Sequence, residues 1–149
     1  MSYPPLLELA SEAEYRAHFE AIYCRGPIRA FDGIEVRFRQ RDFDHCCFES
    51  SRRDGNKDTF SLPRARRLDW IKAALQDPQS ECYQGWDKKR KCYDGSRRVA
   101  VVLEDYVVVI AFKRKSGQAD FVTAFLADTP TVPGRPSTVE MIRRGPKWK

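Results

Sequence analysis

The sequence predicts an α+β fold, in which N-terminal helices pack on an antiparallel meander sheet of four to five strands. Two observations predict it. Apolar residues spaced three and four apart, the helical period, occur in the first half of the chain. In the second half, apolar or alternating runs follow one another through short links, and strands joined in this way are antiparallel neighbours. The helices would cover one face of the sheet and leave the other free for a ligand.

The first predicted helix covers Ser11–Cys24. Ser11 is a suitable N-cap, and Glu14, three residues later, completes a capping box. Gly26-Pro27 ends the helix. Its apolar stripe consists of Tyr15, Phe19, Ile22 and Tyr23.

A second helix is predicted from Ser61, with Pro63 in its first turn and Asp77-Pro78 at its end. Its core stripe consists of Leu68, Ile71 and Leu75. Between the helices, Ile34–Phe38 alternates as a strand does, residues 39–50 show no clean period, and residues 51–58 are predicted to be a polar loop.

Four strands are predicted in the second half of the chain: Cys82–Trp86, Arg98–Leu103, Tyr106–Lys113 and Asp120–Ala127. On the last of them, alternation places Phe121, Thr123 and Phe125 on one face. We expect a single domain over residues 1–149, with a core at about 11–128 and a tail rich in Pro and Gly at 129–149. One short helix is expected in that tail, around Ser137–Arg144.

The net charge of +6 is unevenly distributed, because the first 24 residues are acidic and the rest of the chain is strongly basic. This pattern favours a nucleic-acid partner, with RNA in first place. Basic clusters lie around the predicted meander, and neighbouring aromatic rings are suited to stack on bases. The candidate RNA-binding residues are Lys88, Lys89, Arg90, Lys91, Arg97, Arg98, Arg114, Tyr83 and Trp86. The alternative is that charges at turns are simply solvated.

Several classes of function lack their motifs. No set of acidic residues or histidines has the spacing of a metal site, and adjacent Cys46-Cys47 is poor spacing for zinc. No phosphate-binding glycine-rich motif and no G-x-S-x-G elbow occurs. No apolar run approaches the roughly 20 residues that span a bilayer. We therefore expect no metal, no cofactor and no membrane association, and a cytoplasmic location.

Three residues are candidates for chemistry that needs no metal. His45 can act as a general base near neutral pH, whereas His18 lies beside the apolar stripe of the first helix and favours a structural role. Arg64 precedes Leu68 by four residues, so it would share the core-facing side of the second helix and need an anionic partner, either Glu49 or a substrate phosphate. Thr123 is either a phosphate ligand or a residue chosen for its β-propensity.

A set of short motifs over about residues 34–128 resembles a known nuclease family. The motifs are Phe43-Asp44-His45, Phe48-Glu49-Ser50, Arg64-Ala65 followed by Leu68–Ile71, Tyr83 with Trp86, the strand pair Arg98–Leu103 and Tyr106–Lys113, and Phe121–Phe125. Together they resemble the phage-associated branch of the barnase–EndoU–colicin–RelE-like nucleases, which share the BECR fold.

The resemblance implies helices on a four-stranded sheet and metal-independent RNA cleavage, often by toxins or effectors. By position, it implies His45 as base or acid, Arg64 and Lys113 as phosphate stabilisers, and Thr123 as the residue that orients the phosphate. At Lys113 the match leaves Arg114 and Lys115 as alternatives.

The leading hypothesis is therefore a metal-independent endoribonuclease, toxin- or phage-associated, in which a 2′-OH attacks the adjacent phosphate. Its partners would be RNA, either tRNA or another, and an inhibitor or immunity protein. The alternative is a non-catalytic RNA- or DNA-binding module that uses a basic sheet face. A third hypothesis is an interaction protein whose basic patch meets an acidic partner.

Overall fold

Helices pack on one face of a mixed six-stranded sheet in the computed structural model of the chain, which is an α+β fold. The structure describes residues 3–49, 59–87, 91–113, 115–126 and 142–148, without the side chains of 49, 85–87 and 93–98. The helices are α1 Glu12–Tyr23, α2 Asp42–Cys47, α3 Leu62–Ala65 and α4 Leu68–Gln76. The strands are β1 Ile28–Arg29, β2 Glu35–Arg37, β3 Phe48–Glu49, β4 Thr59–Phe60, β5 Glu81–Asp87, β6 Cys92–Leu103, β7 Tyr106–Lys113 and β8 Gln118–Leu126.

The first helix is confirmed, but only the Ser11 half of the capping box forms, because the Glu14 carboxylate bonds to the residue before the N-cap. The Ser11 hydroxyl accepts from the Glu14 backbone N–H, and the Glu14 carboxylate accepts from the N–H of Ala10. Of the predicted stripe, Ile22 is exposed, and the buried members are Tyr15, Phe19 and Tyr23. Local capping and periodicity are therefore sufficient to predict this element.

The predicted second helix is divided into α3 and α4. Ser61 caps α3 as expected, and Pro63 lies in its first turn. The interruption has a visible cause, because the carbonyl of Arg66 accepts from the N–H of Leu7 and is taken by the N-terminal segment. The N–H of Trp70 bonds instead to the carbonyl of Arg67, three residues back. Arg64 and Leu68 therefore do not share one continuous helix, and the helical-spacing argument for Arg64 was wrong.

The sheet has the order β1-β2-β8-β7-β6-β5. Strands β5 to β8 form the predicted antiparallel meander, and β7 has the predicted bounds. The prediction of a purely antiparallel sheet was wrong, because β2 pairs with β8 in parallel. This contact joins strands about 80 residues apart in the chain, and local sequence carries little information about such a pairing.

A β-bulge interrupts β8. Val109 pairs with Thr123 and Ile110 with Phe121, so Val122 is the extra residue on β8. As a result, Phe121 lies in the main core whereas Phe125 packs in a second cluster. The prediction that Phe121 and Phe125 share one face was wrong, because simple alternation does not allow for the extra residue.

The main core lies between the helices and one face of the sheet, which we call the inner face. Its largest fully buried side chains include Tyr15, Phe19, Phe43, Leu68, Ile71, Leu75, Val36, Val99 and Val108. The opposite, outer face has a smaller apolar cluster of Tyr83, Ala100, Val102 and Val107, packed by Ile142 and Phe125. The rest of the outer face is where polar side chains of β2, β7 and β8 meet.

Part of the predicted tail is integral to the fold. The N–H of Gln84 bonds to the carbonyl of Pro146, and the N–H of Trp148 bonds to the carbonyl of Cys82, so this segment lines the outside of β5. The Trp148 ring packs edge-on against Phe112. Of the predicted helix around Ser137–Arg144, Ile142 and Arg143 are helical; residues 137–141 lie outside the described part of the chain.

Candidate active site and basic cleft

Helix α2 occupies the place beside β8 that β2 leaves vacant. Strand β2 pairs with the start of β8, up to Arg37 opposite Asp120, and then ends. The chain turns into α2, which packs on β8 and is bonded to it at Thr123. A six-residue helix is too short to show a clear period, which explains why residues 39–50 gave no pattern in the sequence.

The hydroxyl of Thr123 joins α2 to β8. It donates to the backbone carbonyl of His45 over 3.2 Å. A threonine hydroxyl has a single hydrogen to donate, so while this bond is made Thr123 has none for a phosphate. The structure therefore brings together two of the predicted site residues, but it gives Thr123 the geometry of a group that holds α2 rather than a phosphate ligand.

His45 is exposed on a helix that is otherwise firmly anchored. Phe43 is fully buried, and the Arg16 guanidinium lies over its ring at 4.4 Å and bonds to Asp44 at 2.8 Å. Asp42 accepts from the N–H of Arg39, which fixes the turn into the helix. Burial raises the pKa of Asp42, although that hydrogen bond and the nearby His45 and Arg39 act in the opposite direction. The result is an imidazole at the surface on a backbone that has little freedom to move.

Arg64 belongs to helix α3, the neighbour of α2. It is half-buried on α3, which packs against α2. A hydrogen bond with Cys47 and burial raise the pKa of the Cys46 thiol, and the charge of Arg64 acts to lower it. This electrostatic influence places the guanidinium near the residue that follows His45. Three of the predicted site residues, His45, Arg64 and Thr123, thus surround the same short helix.

The fourth predicted residue, Lys113, belongs to a basic cluster on the outer face, made of Arg37, Arg39 and Lys113 around Asp120. The Lys113 ammonium lies 2.8 Å from the Asp120 carboxylate, Nε of Arg37 lies 3.5 Å from it, and Nη2 of Arg39 lies 3.7 Å from it. Burial alone would raise the pKa of Asp120, but the hydrogen bond from Lys113 and the three positive charges hold it below its ordinary value. Asp120 is therefore ionised, and it gathers the cations at one point.

The cluster borders an open cleft of about 540 Å³. The lining residues are Arg37, Lys113, Lys115, Ser116, Gln118 and Asp120. An arginine and a lysine offer five and three N–H donors, so roughly thirteen donors in the cluster face a carboxylate that accepts about four bonds. This surplus of donors and positive charge is suited to the oxygens of a phosphate.

The cluster and the His45 helix contact the same strand, β8, at different positions along its length. Asp120 and Thr123 are three residues apart on β8, which corresponds to about 10 Å at the usual strand rise and slightly less across a bulge. Since the ammonium of Lys113 is bound at Asp120, it lies near one end of this interval and His45 near the other.

The predicted RNA-binding residues have mixed outcomes. Lys88, Lys89, Arg90 and Arg114 lie outside the described residues, and the same holds for the side chains of Trp86, Arg97 and Arg98. Lys91 is exposed. Tyr83 is 3% exposed and donates its hydroxyl to Glu81, so its ring has no open face on which a base could stack.

Sequence reasoning missed Arg37, Arg39 and Asp120. A signal was present, because Arg37 alternates with buried Val36 and must point away from the core. What the sequence lacked was the parallel pairing of β2 with β8, which brings Arg37 opposite Asp120. The other histidine, His18, bonds to Asp69 at 2.7 Å and connects α1 to α4; the structural role that the sequence favours for it stays a prediction.

Two features are absent from the described ranges. Among those residues, no group of three or more His, Cys, Asp or Glu side chains is placed to hold a metal ion. None of the helices there is both long enough and apolar enough to cross a membrane.

Comparison with known proteins gave no match, either to a family model, to a curated protein or to a solved structure.

Proposed function

We propose that the protein is a metal-independent endoribonuclease that binds RNA along β8, with the scissile phosphate beside α2. The observation that carries the proposal is the Thr123–His45 hydrogen bond, because it fixes an exposed imidazole next to the strand that also bears the basic cluster. The four antiparallel strands β5–β8 beneath N-terminal helices agree with the BECR-fold resemblance of the motifs. Toxin or phage association, and restraint by an inhibitor protein, rest on that resemblance and stay predictions.

The proposed chemistry requires groups that this chain supplies. His45 takes the proton of the ribose 2′-OH, whose oxygen forms a bond to the adjacent phosphorus while the bond to the 5′ oxygen breaks. Solvent water supplies the proton for the departing 5′ oxygen, and the products carry a 2′,3′-cyclic phosphate and a 5′-OH. Arg64, on the neighbouring helix, supplies positive charge for the phosphorane. Thr123 acts as a positioning residue, since it holds the backbone that carries His45.

The test is cleavage of RNA in EDTA, with His45→Gln and His18→Gln as a matched pair of variants. Wild type is expected to give cyclic-phosphate ends on RNA and no products on DNA, which lacks the attacking hydroxyl. His45→Gln should lose cleavage by about a hundredfold or more while it keeps its affinity and thermal stability. His18→Gln should keep cleavage, adjusted for any loss of folded protein.

RNA that stays intact at excess protein would refute the enzymatic proposal. The second candidate, a non-catalytic nucleic-acid-binding module, would then lead, because the basic cluster and its cleft need no catalyst to hold phosphates. For that module, replacing Lys113 or Arg37 would weaken RNA binding and replacing His45 would not.

A further inference from the structure

We infer that the Arg37–Arg39–Lys113 cluster is a subsite for a phosphate that flanks the scissile one, so that the preferred substrate is an oligonucleotide. This inference rests on the proposed function, and it departs from the role at the scissile phosphate that the family resemblance implies for Lys113. It specifies the substrate class: at least two internucleotide phosphates, bound at separate points along β8.

The cluster and His45 are too far apart along β8 to contact the same phosphate. About 10 Å of strand separates Asp120 from Thr123, so a phosphate against the cluster is not the phosphate beside His45. The Lys113 ammonium lies 2.8 Å from the Asp120 carboxylate, so it is held at the Asp120 end of this interval and away from His45. A single phosphate group is too small to contact both ends, whereas successive phosphates of one strand can do so.

The cluster combines a buried carboxylate with exposed cations. The Asp120 carboxylate is largely buried, with a side chain that is 14% exposed, while each of the three cations is about half exposed. The anion thus sits beneath the cations, and two of them, Arg37 and Lys113, line the cleft together with it. Within the described part of the chain, each cation is paired with Asp120 through one nitrogen, so further donors can serve a ligand on the open side. The ligand best matched to them has several oxygens and a negative charge.

The backbone places the cluster and His45 one after the other along β8. Strand β2 and helix α2 follow one another along the same side of β8, so Arg37, Arg39 and then His45 succeed each other in one direction. The bulge at Val122 lies between the two levels and marks the point at which the core-facing alternation of β8 changes. A strand of RNA laid along this side of β8 would meet the cluster and then the imidazole.

The experiment compares two substrates, each with a single ribonucleotide at the cleavage point. One is a dinucleotide, which has only the scissile phosphate, and the other is a deoxy-flanked hexamer. Lys113→Ala is expected to lower kcat/KM on the hexamer by about fivefold to tenfold through KM, and to leave the dinucleotide unchanged. Lys72→Ala, which removes an exposed charge on α4, is the matched control and should change neither.

A neutral methylphosphonate at each flanking position of the hexamer in turn completes the design. At one flanking position, the methylphosphonate should reduce cleavage by wild type as much as Lys113→Ala reduces cleavage of the unmodified hexamer. The Lys113→Ala variant should then lose little further activity on that methylphosphonate hexamer. Arg39→Ala serves as a second variant in case Lys113→Ala is poorly folded, as judged by thermal unfolding.

Equal losses on dinucleotide and hexamer would place the cluster at the scissile phosphate and overturn the subsite, while leaving the ribonuclease intact. No loss on either substrate would also overturn it. If wild type cleaves neither substrate nor total RNA, the proposed function itself fails, and the subsite falls with it.

Discussion

Thr123 is the residue through which the structure links β8 to the candidate catalytic helix. Thr123→Val keeps the shape of the side chain but removes the donor to the His45 carbonyl. We expect a loss of about 1 kcal/mol in the free energy of unfolding, measured by urea denaturation, and slower RNA cleavage. Thr123→Ser retains a hydroxyl and should restore most of both; equal behaviour of the Val and Ser variants would exclude the positioning role.

Because of Asp120, we expect the free energy of unfolding to depend on pH. Its pKa in the folded protein lies below the ordinary value of 3.8, so the ionised form favours the native state. That contribution is complete above the unfolded value, at about pH 5 and higher, and disappears as the pH falls through the folded pKa. Asp120→Asn should therefore be less stable than wild type at neutral pH, and the difference should shrink below about pH 4.

Unfolding of wild type and Asp120→Asn at a series of pH values measures this effect. Asp105→Asn, at an exposed position in the turn between β6 and β7, is the matched control. A difference between wild type and Asp120→Asn that does not change between pH 7 and about pH 3 would contradict the assignment of Asp120 as the ionised centre of the cluster.

At the scale of single elements, α1 depends on the cap at its N-terminus. Ser11 is exposed and makes its contribution through the bond to the Glu14 N–H, so its effect is separable from packing. Ser11→Ala should lower the free energy of unfolding by about 1 kcal/mol, whereas Ser11→Asp should cost little. Chemical denaturation of the three proteins is the measurement, and an Ala variant as stable as wild type would argue against the cap.

Elements with a complete local signal could be predicted, and elements shaped by distant contacts could not. The first helix carries its own cap and stripe, and β7 is bounded by turn residues at both ends. The division between α3 and α4, by contrast, depends on Leu7 bonding to Arg66, and the bulge in β8 depends on how β7 is registered against it. Neither cause is present in the local sequence.

At the scale of the whole molecule, the same limit separates the two parts of the candidate site. His45, Arg64 and Thr123 were indicated by motifs, and all three lie around α2. The cluster around Asp120 was not foreseen, since it needs the parallel β2–β8 pair, whose partners come from opposite ends of the described core. Residue chemistry is visible in a sequence, whereas the convergence of two distant strands is a property of the folded chain.

The C-terminal segment has a consequence for how copies of this chain behave toward one another. Strand β5 is last in the sheet order, and Pro146 and Trp148 take up the backbone groups of Gln84 and Cys82 that face outward. An uncovered edge strand of this kind promotes self-association, because its N–H and C=O groups can pair with a second molecule. A chain shortened to end before Pro146 is therefore expected to self-associate, seen as elution that changes with concentration in size-exclusion chromatography. The intact chain, with this edge occupied by its own last residues, should elute at a constant volume over the same concentrations.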